Sequence, residues 1–412
     1  MSEYRVRRIP FALALALGSV GLGANWPQWR GPTVTGVTDE KGFPTTWGGK
    51  DGANVLWKAE LPKNEESPSS PIVWGDRVFV TVSLKDDGHR VACYARADGK
   101  LLWDTPVEKG PWKKTDSRGG VCAPTPCTDG ERVFALFGTA VLAALNAADG
   151  KMLWSIPLAQ TDFDVAMGSS PIVHGDTVVL LSGLTKRNSN LTAFDKKTGK
   201  VKWELKLPDH GFCHSTPAFA TVGGRTILVL SVNRRSAGIL GVDPEKGELL
   251  WSAPGDGETA TPAIGSGVVY CDSARGGGGY ALELAKTVGA KEVALKWQLS
   301  RVNMDLSSPL IVGDLVYRLG GNGWLNCLKL ENGEKVYSEQ LQSVHSWVSP
   351  VATGDGLIYF ASPGKSTVIR SGPTLEVVGT SDLGDTNHSS AAFSDGMIFL
   401  KGRKSLFCIG KK

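Results

Sequence analysis

Helical periodicity is what this chain most conspicuously lacks. Outside the extreme N-terminus, no long stretch carries apolar residues at helical spacing, so a helical bundle is excluded. Motifs that carry chemistry are missing as well. There is no G-x-S-x-G nucleophile elbow and no H-E-x-x-H zinc helix. None of the seven cysteines forms a CxxC pair, so no zinc or redox motif is present and no metal is expected. The glycine run in Ala274 to Gly279 precedes no helix and reads as a flexible tip, not a phosphate cradle. An excess of one charge is also lacking. Lys and Arg number 45 against 41 Asp and Glu, a net charge of +4. Half of that sits at the N-terminus, in Arg5, Arg7 and Arg8 offset by Glu3. Such a balance argues against wholesale nucleic-acid binding.

What the chain has is glycine and proline, 51 and 22 of them, distributed among short apolar runs. The stretch from Ser170 to Trp203 shows the pattern. Ile172 and Val173 follow Ser170-Pro171, Gly175-Asp176 turns the chain, and Val178 to Leu181 return it. Leu191 to Phe194 make a third strand, Asp195 to Gly199 a second turn, and Val201 to Glu204 a fourth. Gly and Asp supply the left-handed turn positions, and the apolar runs supply the sheet faces. Units of this kind start at Pro71, Pro126, Pro171, Pro217, Pro262, Pro309 and Pro350, and an eighth at Ala391. A four-stranded unit repeating about every 45 residues is the signature of a propeller blade.

The eighth unit has material for only three strands, while Val55 to Leu61 looks like a fourth strand with none before it. Pairing the two closes the ring. The expected fold is therefore all-β: an eight-bladed propeller of four-stranded antiparallel blades, with an N-terminal strand completing the last blade. Seven blades is the alternative, should the weak unit from Ser349 to Gly379 be irregular. Three segments are expected: an export signal over 1–24, an ordered strap over 25–54, and the propeller over 55–412. The signal reading rests on the three arginines, the apolar run Ile9 to Leu22, and small residues before Asn25. That run is shorter than the roughly 20 apolar residues a spanning helix needs, so a periplasmic or secreted monomer with no transmembrane segment after cleavage is expected.

Six tryptophans recur in fourth strands: Trp57, Trp103, Trp154, Trp203, Trp251 and Trp297, with Tyr337 in the sixth blade. Each lies just after a turn such as Asp98-Gly99-Lys100, and each is read as a structural cover over the gap between blades. Trp26 and Trp29 in the strap are read as packing residues, with a sugar platform as the alternative. Cys93, Cys327 and Cys408 occupy third-strand positions where other blades carry Ala144 or Ala193, and read as small buried hydrophobes. Export permits disulfides, and Cys122 could bridge to Cys127 or to Cys213.

Segments such as Ala193-Phe194-Asp195-Lys196-Lys197-Thr198-Gly199-Lys200-Val201-Lys202-Trp203 resemble the repeat of pyrroloquinoline-quinone-type (PQQ-like) propellers. The opening Trp26-Pro27-Gln28-Trp29-Arg30-Gly31-Pro32 is similar to that of exported propellers of this class in planctomycete-like bacteria. One branch of the family is quinone-dependent dehydrogenases. That resemblance would imply PQQ and calcium, a disulfide of adjacent cysteines and a Glu/Asn/Asp set. The chain has no Cys-Cys pair, although Glu258, Asp305 and Asn387 share one loop position. The other branch resembles BamB, a non-enzymatic lipoprotein that helps assemble outer-membrane β-barrels; no lipid-anchor cysteine matches it here. The reading favoured is a non-enzymatic binding scaffold without cofactor, contacting an envelope protein, a peptide or an anionic glycan. Candidate contact residues lie in loops at one mouth of the ring: Lys186, Arg187, Arg234, Arg235, Arg275, Lys365, Arg403 and Lys404, with Lys113, Lys114 and Arg118 in an insertion. His214 and His388 join them as loop histidines, on opposite blades and too far apart to share a metal.

Overall fold

A computed structural model of the chain describes residues 24–62, 67–84, 88–110, 120–162, 165–234, 236–273, 277–302, 307–342, 344, 347–386 and 388–412. Residues 1–23 of the proposed signal over 1–24 and the positions Lys113, Lys114, Arg118, Arg235, Arg275, Asp305 and Asn387 lie outside them.

The strands form eight separate four-stranded sheets. Seven are contiguous in sequence: blades 1 to 7 span 72–107, 127–157, 172–208, 218–253, 263–299, 310–340 and 351–382. The seventh is as regular as the others, which removes the seven-bladed alternative. In blade 8, Ala392–Ser394, Met397–Lys401 and Ser405–Ile409 are completed by Val55–Glu60 as outermost strand. Trp57 pairs with Cys408 and Glu60 with Ser405 in that closing ladder. Second and third strands are buried on both faces, as in Arg77–Leu84 and Val141–Asn146. Outer strands alternate, as in Met152–Pro157. The sequence pattern follows from this: unbroken apolar runs inside, period-two alternation outside.

Third and fourth strands share a repeated irregularity. A register shift directly follows the small residue facing the aromatic: Cys93 opposite Trp103, Ala144 opposite Trp154, Ala193 opposite Trp203, Gly241 opposite Trp251 and Cys327 opposite Tyr337. Four of the tryptophans then donate their indole N–H to a carbonyl of the next blade: Trp57 to Arg96, Trp103 to Ala147, Trp154 to Lys196 and Trp297 to Leu330, at 2.8–3.2 Å. Each ring lies against a turn glycine there. A Cβ on Gly99, Gly150, Gly247 or Gly333 would sit 2.4–2.6 Å from the ring of Trp57, Trp103, Trp203 or Trp297. These glycines also have φ between 70° and 75°, so both backbone and space demand glycine.

Trp251 departs from the pattern. The connection after the third strand of blade 5 carries a short 3-10 turn, Leu284–Thr287, where the others have a glycine turn. The segment continues into Lys291–Val293, which pairs with Ser252. Trp251 is buried beneath it, against Gly241 of its own blade.

All seven cysteines are free and buried, which corrects the possible Cys122–Cys127 and Cys122–Cys213 bridges. They fill small core positions. Lys401 is the unusual core residue. It is fully buried in the seam between blades 8 and 1, where its Nζ donates to Ser69 Oγ at 2.6 Å and Thr81 O at 2.7 Å. Burial lowers its pKa to about 8.

Two outcomes test this packing. Gly247→Ala should destabilise the protein by about 2 kcal/mol, through backbone strain and the indole clash. Trp203→Ala should cost about 3 kcal/mol. Denaturant melts of the double variant should show a total at least about 1 kcal/mol below the sum, because the clash is gone; strict additivity contradicts the stacking. For Lys401, the folded pKa lies below the unfolded value, so the unfolded chain holds the extra proton between the two. Stability should therefore rise, relative to Lys401→Met, as pH goes from about 8 to about 10, by up to about 3 kcal/mol. Parallel melting curves of the two proteins check it.

Candidate functional site

Each blade begins with a hydroxyl residue: Ser70, Thr125, Ser170, Thr216, Thr261, Ser308, Ser349 and Ser390. Proline follows in all but the last, and it restrains the residue before it to extended backbone. That conformation turns each hydroxyl toward the neighbouring blade. The backbone N–H of Ser70 donates to Thr125 Oγ1, Thr125 to Ser170, Ser170 to Thr216, Thr261 to Ser308, Ser308 to Ser349, Ser349 to Ser390, and Ser390 to Ser70, all at 2.9–3.0 Å. At the eighth step, Thr261 Oγ1 instead accepts the Trp29 indole N–H at 3.2 Å. A belt of hydroxyls thus encircles the axis.

The strap closes one end of that axis, on the side of the turns between first and second strands. It touches every blade. Trp26 exchanges backbone hydrogen bonds with Val73, Pro27 O accepts from Thr128, Gln28 Oε1 from Val173, and Thr33 O from Phe219. Trp29 reaches Thr261, Arg30 reaches Pro309 O at 2.8 Å, Gly36 and Thr38 bracket Ala352, and Glu40 accepts from Gly396. These bonds occupy groups that first strands would otherwise leave unpaired. Trp26 packs in the core against Phe393, as the packing reading expects. Arg30 is buried, and no carboxylate among the described residues pairs with it. Its Nη2 also bonds Thr35 O at 2.7 Å, and burial lowers its pKa to about 9.

Above Trp29 lies a cavity of about 240 Å³ open at the other end. All eight lead-in loops line it. Its lower rim is the hydroxyl belt. Its upper rim is the residue two places earlier in each loop: Pro68, Ala123, Gly168, His214, Thr259, Trp347 and His388 among the described residues. The rim is lopsided. Blades 1 to 3 give small residues, and blades 4, 5, 7 and 8 give the polar and aromatic ones. His214 lies over Gly168, where a Cβ would come within 2.2 Å of its Nδ1, and edge-on to Phe212 at 4.5 Å. His388 is tilted 60° against Trp347, centroids 4.9 Å apart.

The two histidines singled out from sequence therefore share one cavity. Trp347 and Thr259 were missed, although both stand three residues before a blade-start proline, as His214 does. The basic loop residues lie at the same end but do not line the cavity. The Lys186 carbonyl lies near Gly211, Gly211 N–H donates to Asn233 O, and Asp385 accepts from the backbone of Arg403, Lys404 and Ser405. Lys186, Arg187, Lys365, Arg403 and Lys404 are exposed and Arg234 half-buried. Among the described residues none of the six has an ion-pair partner. Of the acidic trio, only Glu258 is described, and its carbonyl accepts from His214 N–H at 2.6 Å. Among the described residues, no three His, Cys, Asp or Glu side chains come together as a metal site.

Comparisons with known proteins agree with this architecture. The family model described as outer membrane protein assembly factor BamB matches residues 49–212 and 184–372. BamB of Yersinia pestis is 22% identical over 311 residues, covering 72% of this chain and 67% of that protein. Among solved structures, BamB of Moraxella catarrhalis aligns with TM-score 0.59 at 14% identity, covering 87% of this chain and 97% of the other. A europium-containing methanol dehydrogenase aligns with TM-score 0.68 at 12% identity, covering 94% and 89%. At such identities the two structures speak to the fold alone.

The belt yields its own prediction. Ser308→Ala leaves the buried Thr261 N–H without a partner and should cost about 1–3 kcal/mol, while Ser308→Thr should be nearly neutral. Thermal melts of the pair check it, and equal loss in both would contradict the belt.

Proposed function

We propose that this chain, which belongs to the PQQ-like propeller family described as outer membrane protein assembly factor BamB, is a non-enzymatic binding scaffold exported to the cell envelope. Its partner is an acidic surface on an envelope protein or peptide, or an anionic glycan, and a role in outer-membrane protein assembly fits the family. One observation carries the reading. Six cations at the lead-in end have no carboxylate partner among the described residues, so their charge is available to something outside the molecule. Arg118, Arg235 and Arg275, which lie outside the described residues, are proposed with them from the sequence. The periplasm or exterior is the proposed location; among the described residues, no helix is long and apolar enough to cross a membrane.

The dehydrogenase reading is less well supported. No two cysteines are adjacent, so the disulfide by which that branch clamps its quinone has no counterpart. The likeness to methanol dehydrogenase is one of fold, at 12% identity.

The test is a charge reversal. Binding of a polyglutamate peptide, or of an acidic unfolded outer-membrane protein, should weaken about tenfold between 50 and 300 mM salt. Arg187→Glu with Arg234→Glu should abolish it without changing the melting temperature. Binding indifferent to salt and to the reversal would overturn the reading.

A further inference from the structure

We propose that the axial cavity is a binding site for a small carboxylate carried on one flat ring, seated with its carboxylate on the hydroxyl belt and its ring against Trp347. The inference goes beyond the scaffold reading and does not depend on it.

The cavity's chemistry is one-sided. Ser170, Thr216, Ser308 and Ser349 each accept a backbone N–H from the preceding blade, which occupies a lone pair and leaves the hydroxyl proton to be donated. No acceptor among the described residues takes those protons. Thr259 Oγ1, on the upper rim, is buried and has no partner among the described residues. Among the described residues no carboxylate side chain lines the cavity, and the other polar lining side chains are Thr261, two imidazoles and the Trp29 and Trp347 indoles. Unused hydroxyl protons with no carboxylate opposite them among the described residues suit an oxyanion, which takes several short charge-assisted hydrogen bonds at once. For a cation the described residues of the site offer no compensating charge.

Shape selects the rest of the ligand. The strap seals the floor, with the Trp29 indole fixed by Thr261. The Trp347 ring stands on one wall, and the small Ala123 and Gly168 stand across the rim from it. About 240 Å³ holds one ring and its substituent, since an apolar cavity of about 150 Å³ holds benzene. The donors are pre-set by the ring closure itself, so little conformational entropy is lost on binding.

The full chain should be titrated with benzoate, benzyl alcohol and benzylammonium, by calorimetry and by tryptophan fluorescence. Benzoate should bind at least about tenfold more tightly than benzyl alcohol, with benzylammonium weakest. Thr259→Val and Trp347→Leu should each weaken benzoate about five- to tenfold with melting temperature retained, and Trp347→Phe should keep most of the affinity. The double reversal at Arg187 and Arg234 should leave benzoate affinity within about twofold, which separates this site from the loop surface. Equal binding of benzoate and benzyl alcohol, preference for benzylammonium, binding untouched by Thr259→Val and Trp347→Leu, or no binding of any probe at about 10 mM would each overturn the proposal.

Discussion

The hydrogen bond from one blade's backbone to the next blade's first hydroxyl is the constraint on which the ring depends. Eight separate sheets share no ladder with one another. Their faces meet through apolar contact, which is strong but has no direction. The belt supplies direction. It fixes the rotation and height of each blade through a bond to a rigid, extended residue, and it returns to its start at Ser390 and Ser70. Each such bond contributes only about 0.5–1.5 kcal/mol net, but breaking one leaves a buried N–H unpaired at greater cost. Specifying the ring counts for more here than strengthening it. Proline serves the same end, since it holds the hydroxyl residue extended and has no N–H to offer elsewhere.

Closure is then made twice more by the N-terminal segment. Val55–Glu60 ends blade 8, so the last sheet cannot form until the first-made strand arrives. The strap crosses the axis and bonds to all eight blades, which lets it hold conformations the backbone resists. Val34 is β-branched, fully buried and at φ 64°, and Arg30 sits at φ 57° with its guanidinium buried. Local strain and a desolvated charge persist because many independent contacts determine the path. The floor of the cavity is therefore among the most constrained places in the molecule.

The repeat, the strand order and the completing strand at Val55 were legible in the sequence because each depends on short-range signals: glycine turns, Ser-Pro starts and apolar runs. The tryptophan covers were legible for the same reason. Trp251 was not, because its environment is made by an insertion in the neighbouring blade, Leu284 to Val293, which has no turn signature of its own. The cavity was half legible. His214 and His388 were found by their offset from the blade start, yet placed as separate loop histidines. What the sequence does not display is that side chains two apart in an extended lead-in both face the axis, so that eight distant loops compose one rim. Thr259 and Trp347 carry the same offset as His214. They look unremarkable until the ring brings them together.

The two rims divide labour in a way that bears on how one fold serves different tasks. The residue that opens each blade is a hydroxyl in all eight, because the ring needs it there. Two places earlier the ring closure asks for no one residue type, and the chain shows Pro68, Ala123, Gly168, His214, Thr259, Trp347 and His388. A propeller of this kind can change what its axis recognises without disturbing what closes it. That separation makes likeness of fold a poor guide to activity, since an assembly factor and a methanol dehydrogenase both superpose on this chain. The residues to compare between such proteins are the upper rims, blade by blade.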